Sequence, residues 1–410
     1  MQSPDGISRF ALSRRLFLKS TAIGSLGMAS LSSVPEAMAK ALALGIPDYG
    51  EQGVGIPGGI VRLNFNENPL GPSPKAIEAI QAHLHDMNRF GINASDLFKK
   101  LNRMAGVNYS DLDLQKREAQ DKMWKRNRVY LSDGSGNLLR AAAFACLRNG
   151  GEVIEANPGY GDVSEHASYM DDELGMGVNV KRVPLTSEFR HDLDAMQREI
   201  NDRTRLVVVT NPNNPSGTVV PRADLEQFVA SMPDHVTVVV DEAYMDYVKE
   251  PAYKSMGDVA VSRPNVLVTR TFSKIYGLPG LRVGYALAVP ETLKNFWMYT
   301  SFPSSIAIHA ATAALEDMDH VAATRQMTWE GRDYLYYELN AMGLSYVRTE
   351  SNFMLIEVGD AEGITRKLAR QNVYVRNADR IWKVGNHIRV SIGTREENQF
   401  FITALRQAFA

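Results

Sequence analysis

Residues 271–284 read Thr271-Phe-Ser-Lys274-Ile-Tyr-Gly277-Leu-Pro-Gly280-Leu-Arg282-Val-Gly284. They follow Val266-Leu-Val-Thr269, a β-branched apolar run that predicts a buried strand. Open α/β sheets bind ligands where such strands end. A lysine amine can form a Schiff base with an aldehyde. The hydroxyls and the arginine around it suit a phosphate, and the glycines let backbone approach that phosphate closely. Alone, the lysine would read as a surface residue beside a turn. The whole string is far more specific.

Working outward, Leu206-Val-Val-Val-Thr210 and Val236-Thr-Val-Val-Val240 predict two more buried strands, and Gly284-Tyr-Ala-Leu-Ala288 a further one. Helical stretches separate them, which implies a mostly parallel sheet with flanking helices. From about residue 300 the pattern changes. A long helical stretch near Ile306 to Leu339 leads to Asn352-Phe-Met-Leu-Ile-Glu-Val358, and later to His387-Ile-Arg-Val-Ser391. This predicts an α/β fold with a large domain at 91–298 and a smaller α/β domain at 299–410. Residues 40–90 read as an arm and part of the small domain.

Polar motifs stand at the strand ends. Asp241-Glu-Ala-Tyr244 follows one strand directly. A carboxylate there could hold the protonated ring nitrogen of a pyridoxal-type cofactor, and a tyrosine hydroxyl could bond its phenolic oxygen. By itself the motif is also an ordinary acidic helix start. Asn214-Pro-Ser-Gly217 is a turn whose asparagine amide could donate to the same oxygen. Ser132-Asp-Gly134-Ser135-Gly136-Asn137 precedes a helical run and makes a natural phosphate cradle. Tyr160, in Asn157-Pro-Gly-Tyr160, is an aromatic able to stack on a flat ring, or simply to pack.

In this order and spacing the motifs resemble those of fold-type I pyridoxal-phosphate enzymes, specifically the class I and II aminotransferases. The histidinol-phosphate aminotransferase family is the nearest likeness, over roughly residues 60–408. Leu63-Asn-Phe-Asn-Glu-Asn-Pro-Leu-Gly-Pro-Ser-Pro74 resembles its N-terminal motif, and Arg389-Val-Ser-Ile-Gly-Thr-Arg-Glu-Glu its C-terminal one. The resemblance implies pyridoxal 5'-phosphate on Lys274, with Lys274 as proton shuttle. Asp241 would pair with the ring nitrogen, Asn214 and Tyr244 with the phenolic oxygen, and Tyr160 would stack. Ser135, Gly136, Asn137, Ser273 and Arg282 would hold the phosphate, with help from Thr271. Arg389 and Arg376 match substrate-anion positions, no metal is called for, and the amino donor and 2-oxo acid acceptor would meet in a homodimer. The family usually has Arg-Tyr-Pro where this chain has Arg89-Phe90-Gly91. That tyrosine reaches the partner subunit's cofactor phosphate, a hydrogen bond Phe90 cannot donate.

The remaining sequence bounds these readings. The chain has 410 residues, a formal charge of -2, 44% hydrophobic and 22% charged residues. That is ordinary for a globular protein, with no long basic run to bind nucleic acid. The lone Cys146 excludes an internal disulfide. The N-terminus carries Ser13-Arg-Arg-Leu-Phe-Leu-Lys19, a short apolar stretch to about Val34, and the small-residue site Ala37-Met38-Ala39. This resembles a twin-arginine export signal over residues 1–39, which implies a periplasmic or otherwise exported enzyme that meets the twin-arginine machinery. The run is too short and too rich in Gly and Ser to insert stably in a membrane. Asp111–Arg128 reads as a charged, solvated excursion. Two other activities stay open on these residues: decarboxylation of an amino-acid phosphate on the same cofactor, and cofactor binding without turnover.

Overall fold

The computed structural model describes residues 59–89, 94–107 and 127–410. The export signal, Phe90-Gly91 and residues 111–126 lie outside the described residues. Among those described, the strands are β1 (Val61–Arg62), β2 (Val129–Ser132), β3 (Gly151–Asn157), β4 (Val178–Pro184), β5 (Thr204–Thr210), β6 (Thr237–Asp241), β7 (Val266–Thr271), β8 (Gly284–Leu287), β9 (Phe353–Glu357), β10 (Val373–Tyr374), β11 (Arg376–Asn377) and β12 (His387–Ser391).

Seven of them form one sheet in the order β2-β8-β7-β6-β5-β3-β4. The pairs from β4 through β7 are parallel, and β8 runs antiparallel to both of its neighbours. The valine-rich runs explain why both faces are covered. Successive side chains of a strand point to opposite faces. Val207, Val209, Val238, Val240, Val266 and Val268 accordingly pack into one apolar cluster, and Leu206, Val208, Val239 and Leu267 into another. Burying each such side chain is worth about 1.5–3 kcal/mol.

The smaller sheet is antiparallel, in the order β11-β12-β9, and β1 pairs in parallel with β10. Val61 and Leu63 thereby join a separate core with Leu335, Leu339, Ile388, Val390 and Phe401. The register sets Arg376 directly opposite Arg389. Like charges facing across a sheet are unfavourable unless an anion lies between them.

The expected long helix near Ile306–Leu339 is two helices, Ser305–Ala314 and Met318–Ala341. Ser304 caps the first by accepting from the Ala307 amide. Ala307, Ala310, Ala311 and Ala314 of the first helix and Val321 of the second belong to the core of the large sheet, and further along the second helix Leu335 and Leu339 belong to that of the small one. No helix among the described residues is long and apolar enough to cross a membrane.

Candidate active site

The parallel sheet delivers several strand ends to one edge, as open α/β sheets do. β6 ends at Asp241 and β7 at Thr271, with Ser273 and Lys274 just beyond. Asn214 follows β5, Tyr160 follows β3, and Ser135 follows β2. They converge on a cleft of about 860 Å³, within the usual range for small-molecule sites. Twelve expected residues line it: Ser135, Gly136, Tyr160, Asn214, Asp241, Tyr244, Thr271, Ser273, Lys274, Arg282, Arg376 and Arg389. Asn137 does not. Its amide donates instead to the Asp133 carboxylate beside the helix start.

One corner of the cleft has a helix N-terminus and a guanidinium drawn together by missing side chains. Gly134, at φ 106°, caps the helix Ser135–Leu147. A Cβ on Gly134 would stand 2.5 Å from Nη2 of Arg282, and one on Gly284 would stand 2.6 Å from the Ser135 amide nitrogen. The first amides of that helix have no helical partner. Next to them, the Thr271 hydroxyl donates to Ser273 Oγ at 2.9 Å and accepts from the Ser273 amide at 3.1 Å.

At the centre lie Asp241, Tyr244 and Lys274. Asp241 is 3% exposed, and its Oδ1 accepts from the Thr269 hydroxyl at 2.8 Å. Burial pushes its carboxyl up to about 7, against the opposing pull of Thr269. The Tyr244 hydroxyl accepts from Asn66 Nδ2 at 3.1 Å and from Asn214 Nδ2 at 3.5 Å, and its ring meets Phe353 edge-on. Lys274 Nζ donates to the Phe65 carbonyl at 3.1 Å. Burial lowers its amine to about 8, and the nearby Arg389 adds to the shift while Glu67 and Asp241 oppose it.

The far wall holds the arginine pair. Arg389 is 4% exposed, with Phe353 and Trp382 packed against its guanidinium at 5.2 and 4.8 Å. Nη1 donates to Asn214 Oδ1 at 2.7 Å and Nη2 to the Asn64 carbonyl at 2.9 Å, while Nε has no partner among the described residues. Arg376 Nε donates to the same Asn64 carbonyl at 3.1 Å. Burial, helped by Arg376, pulls the Arg389 guanidinium down to about 10. A buried cation without a carboxylate is costly until an anion arrives. Asn214 also links the two halves of the cleft, accepting from Arg389 and donating to Tyr244.

Sequence reading did not single out Asn66, Thr269, Asp162 or Trp382. Asn66 was inside the quoted N-terminal motif, and Thr269 stands two positions before Thr271 on the same strand. Asp162, whose carboxyl burial lifts to about 6, opens the helix after Tyr160. Trp382 ends the short helix Ala378–Trp382, which has no distinctive sequence pattern.

The model of the family described as "Aminotransferase class I and II" matches residues 59–405. Histidinol-phosphate aminotransferase of Moorella thermoacetica is 39% identical over 357 residues, 86% of this chain and 86% of that protein. Histidinol-phosphate aminotransferase 1 of Nitrosococcus oceani is 37% identical over 351 residues, 85% of this chain and 88% of that one. In three dimensions, the histidinol-phosphate aminotransferase of Sinorhizobium meliloti, solved with pyridoxal-5'-phosphate, superposes at a TM-score of 0.73 and 24% identity. That match covers 93% of this chain and 98% of the other.

The cleft fits such a cofactor on its own chemistry. The cradle of Gly134, Ser135 and Arg282 offers amides and a guanidinium where a phosphate needs them. Asp241 is a buried carboxylate held by a hydroxyl, ready for a protonated ring nitrogen. Lys274 is an amine of lowered proton affinity between the two.

Proposed function

We propose, for a chain that belongs to the class I and II aminotransferase family, an amino donor whose anionic end is gripped by Arg389 and Arg376. The enzyme is a pyridoxal-phosphate-dependent transaminase, moving an amino group between an amino acid or similar amine and a 2-oxo acid. The observation that carries the donor reading is the Nε of a buried guanidinium that has no partner among the described residues, while Nη1 and Nη2 each donate one bond. Nε and the adjoining Nη2 present the edge that takes a carboxylate or phosphate through two parallel hydrogen bonds. An incoming anion also relieves the like-charge facing of Arg376 and Arg389 across β11 and β12.

Bound pyridoxal phosphate supplies an electron sink for the pair left behind when the donor loses its Cα proton. The protein's own groups do the rest. Lys274, with an amine near 8, takes that proton and returns one as general base and acid. Asp241 would keep the ring nitrogen's proton in place, and Asn214 and Tyr244 would bond the ring oxygen. Tyr160 would cover the ring, and Ser135, Gly136, Thr271, Ser273 and Arg282 would hold the phosphate. Because Asn214 touches both Arg389 and Tyr244, seating the anion is felt at the ring.

Replacing Arg389 with lysine tests the donor reading, because lysine has the charge but not the fork. A contact of this kind is worth ~1.5–3 kcal/mol, so kcat/KM for anionic donors should fall by roughly tenfold to a hundredfold. Without donor, the cofactor spectrum should barely change. Histidinol phosphate, in the relatives' names, carries an amine and a phosphate and is the first donor to assay, beside the common amino acids. Equal donor affinity in wild type and variant would remove Arg389 from the substrate site.

The chain is also proposed to act as a homodimer and outside the cytoplasm. The dimer is supported by the exposed apolar residues Trp297, Met298 and Phe302, which lie close together in the chain. Export is supported by Arg14, Arg15 and the Ala37-Met38-Ala39 site. With both arginines replaced by lysine, unprocessed precursor should accumulate in the cytoplasm. Normal cleavage after Ala39 in that variant would refute export by this route.

A further inference from the structure

Away from the cleft, three good metal ligands meet on two packed helices. His83 ends the helix Pro74–His83, Asp86 lies in the tight turn Leu84–Asn88 that follows, and His309 stands on Ser305–Ala314. The imidazoles of His83 and His309 are parallel within 3°, with centroids 3.4 Å apart. His83 Nδ1 lies 2.8 Å from Asp86 Oδ2. One ligand atom from each of the three residues falls within 4.8 Å of the others. None of the three lines the aminotransferase cleft.

We propose that His83, Asp86 and His309 bind one borderline divalent transition-metal ion, with water completing the coordination. Two imidazoles and a carboxylate are the ligands that zinc and its neighbours prefer, and calcium or magnesium would ask for oxygen instead. A neutral imidazole and an ionised carboxylate are the forms that bind such an ion. Bonds of about 2.0–2.1 Å require the three ligand atoms to draw in to roughly 3–3.5 Å from one another. The two rings must also swing out of their parallel stack, about torsions that are broad for histidine. It would pin the turn Leu84–Asn88 to the helix Ser305–Ala314 of the large-sheet core.

The test uses full-length, cofactor-loaded, chelator-stripped enzyme, titrated with Zn2+ in a calorimeter and separately with Co2+ followed by visible absorbance. One ion per chain should bind with a Kd in the micromolar range or tighter, and Co2+ should show the intense visible bands of a low-coordinate site. The double variant His83→Gln/His309→Gln should weaken binding by a hundredfold or more. Asp86→Asn, an exposed change that the fold will tolerate, should weaken it by roughly tenfold. An unchanged cofactor absorbance in each variant shows that the fold is intact. Absence of stoichiometric binding by the wild type would overturn the proposal. So would Zn2+ affinity left intact in the double variant or in Asp86→Asn, since the ion would then sit elsewhere.

Discussion

Lys274→Ala is expected to lose all measurable multiple-turnover transamination while still binding cofactor. The amine lies in the cleft, bonded to the Phe65 carbonyl and lowered to about 8 by burial and Arg389. It can therefore both carry and release a proton near neutral pH. Alanine removes the covalent anchor and the proton shuttle together. General acid–base catalysis alone is worth roughly 10²–10⁴ in rate, so a loss of at least ~10⁴-fold is expected. The cradle of Gly134, Ser135 and Arg282 is untouched, so equilibrium dialysis should still find bound pyridoxal phosphate, now without the lysine-linked absorbance band. Turnover within tenfold of wild type would mean that some other group moves the proton.

Asp241→Asn should slow the loaded enzyme by roughly a hundredfold or more and, with the cofactor removed, stabilise the fold above neutral pH. The two effects have one cause. Burial lifts this carboxyl from 3.8 to about 7. A carboxyl that holds its proton more tightly folded than unfolded favours the fold at low pH, and that contribution is lost as pH rises from about 4 through about 7. Three pH units correspond to about 4 kcal/mol at most, because each unit is 1.36 kcal/mol. Nearby Asp162 and Glu242 share in the shift, so the part owed to Asp241 is smaller. A protonated ring nitrogen repays this cost when the cofactor binds, and an amide has no charge to offer it. Thermal scans of the cofactor-free proteins at pH 5 and pH 8 should show the wild type losing more stability than the variant over that interval. Parallel pH dependence would end the desolvated-carboxylate account, and an unchanged rate would give the ring nitrogen another partner.

The centre of the cleft was legible in the sequence because its residues follow buried strands. A run of valines fixes where a parallel strand lies, and the polar residue that breaks the run marks the edge of the sheet. Asp241 and Lys274 are legible for that reason. The Gly134-Ser135-Gly136-Asn137 turn was legible as a helix start, but not in its detail. Successive helical residues turn by about 100°, and the sequence does not say which of them faces the ligand. Asn137 faces Asp133. Contacts set by the meeting of distant segments were the least visible. Asn66 reaches Tyr244 across 178 positions. That Arg376 and Arg389 face each other depends on strand register, which no local pattern reports. The interruption between Ala314 and Met318 was hidden because the residues on both sides keep a helical apolar spacing.

The pairing of β1 with β10 bears on the order in which the chain can fold as it is made. Asn64 and Arg376, joined at the rim of the cleft, are 312 positions apart. The strands of the large sheet lie nearer one another in sequence and can assemble while translation continues. The early segment around Val61 must wait for Val373 before its backbone finds a partner. Pairing across so long a separation is slow. Until then Val61 and Leu63 remain solvent-facing on a half-made protein, and the arginine pair has no wall to stand on. A ribosome-bound fragment stopped short of β10 could thus own a nearly complete cofactor floor and no substrate grip. Chaperones would meet that unfinished edge, and a truncated gene product would be a cofactor binder with nothing to transaminate.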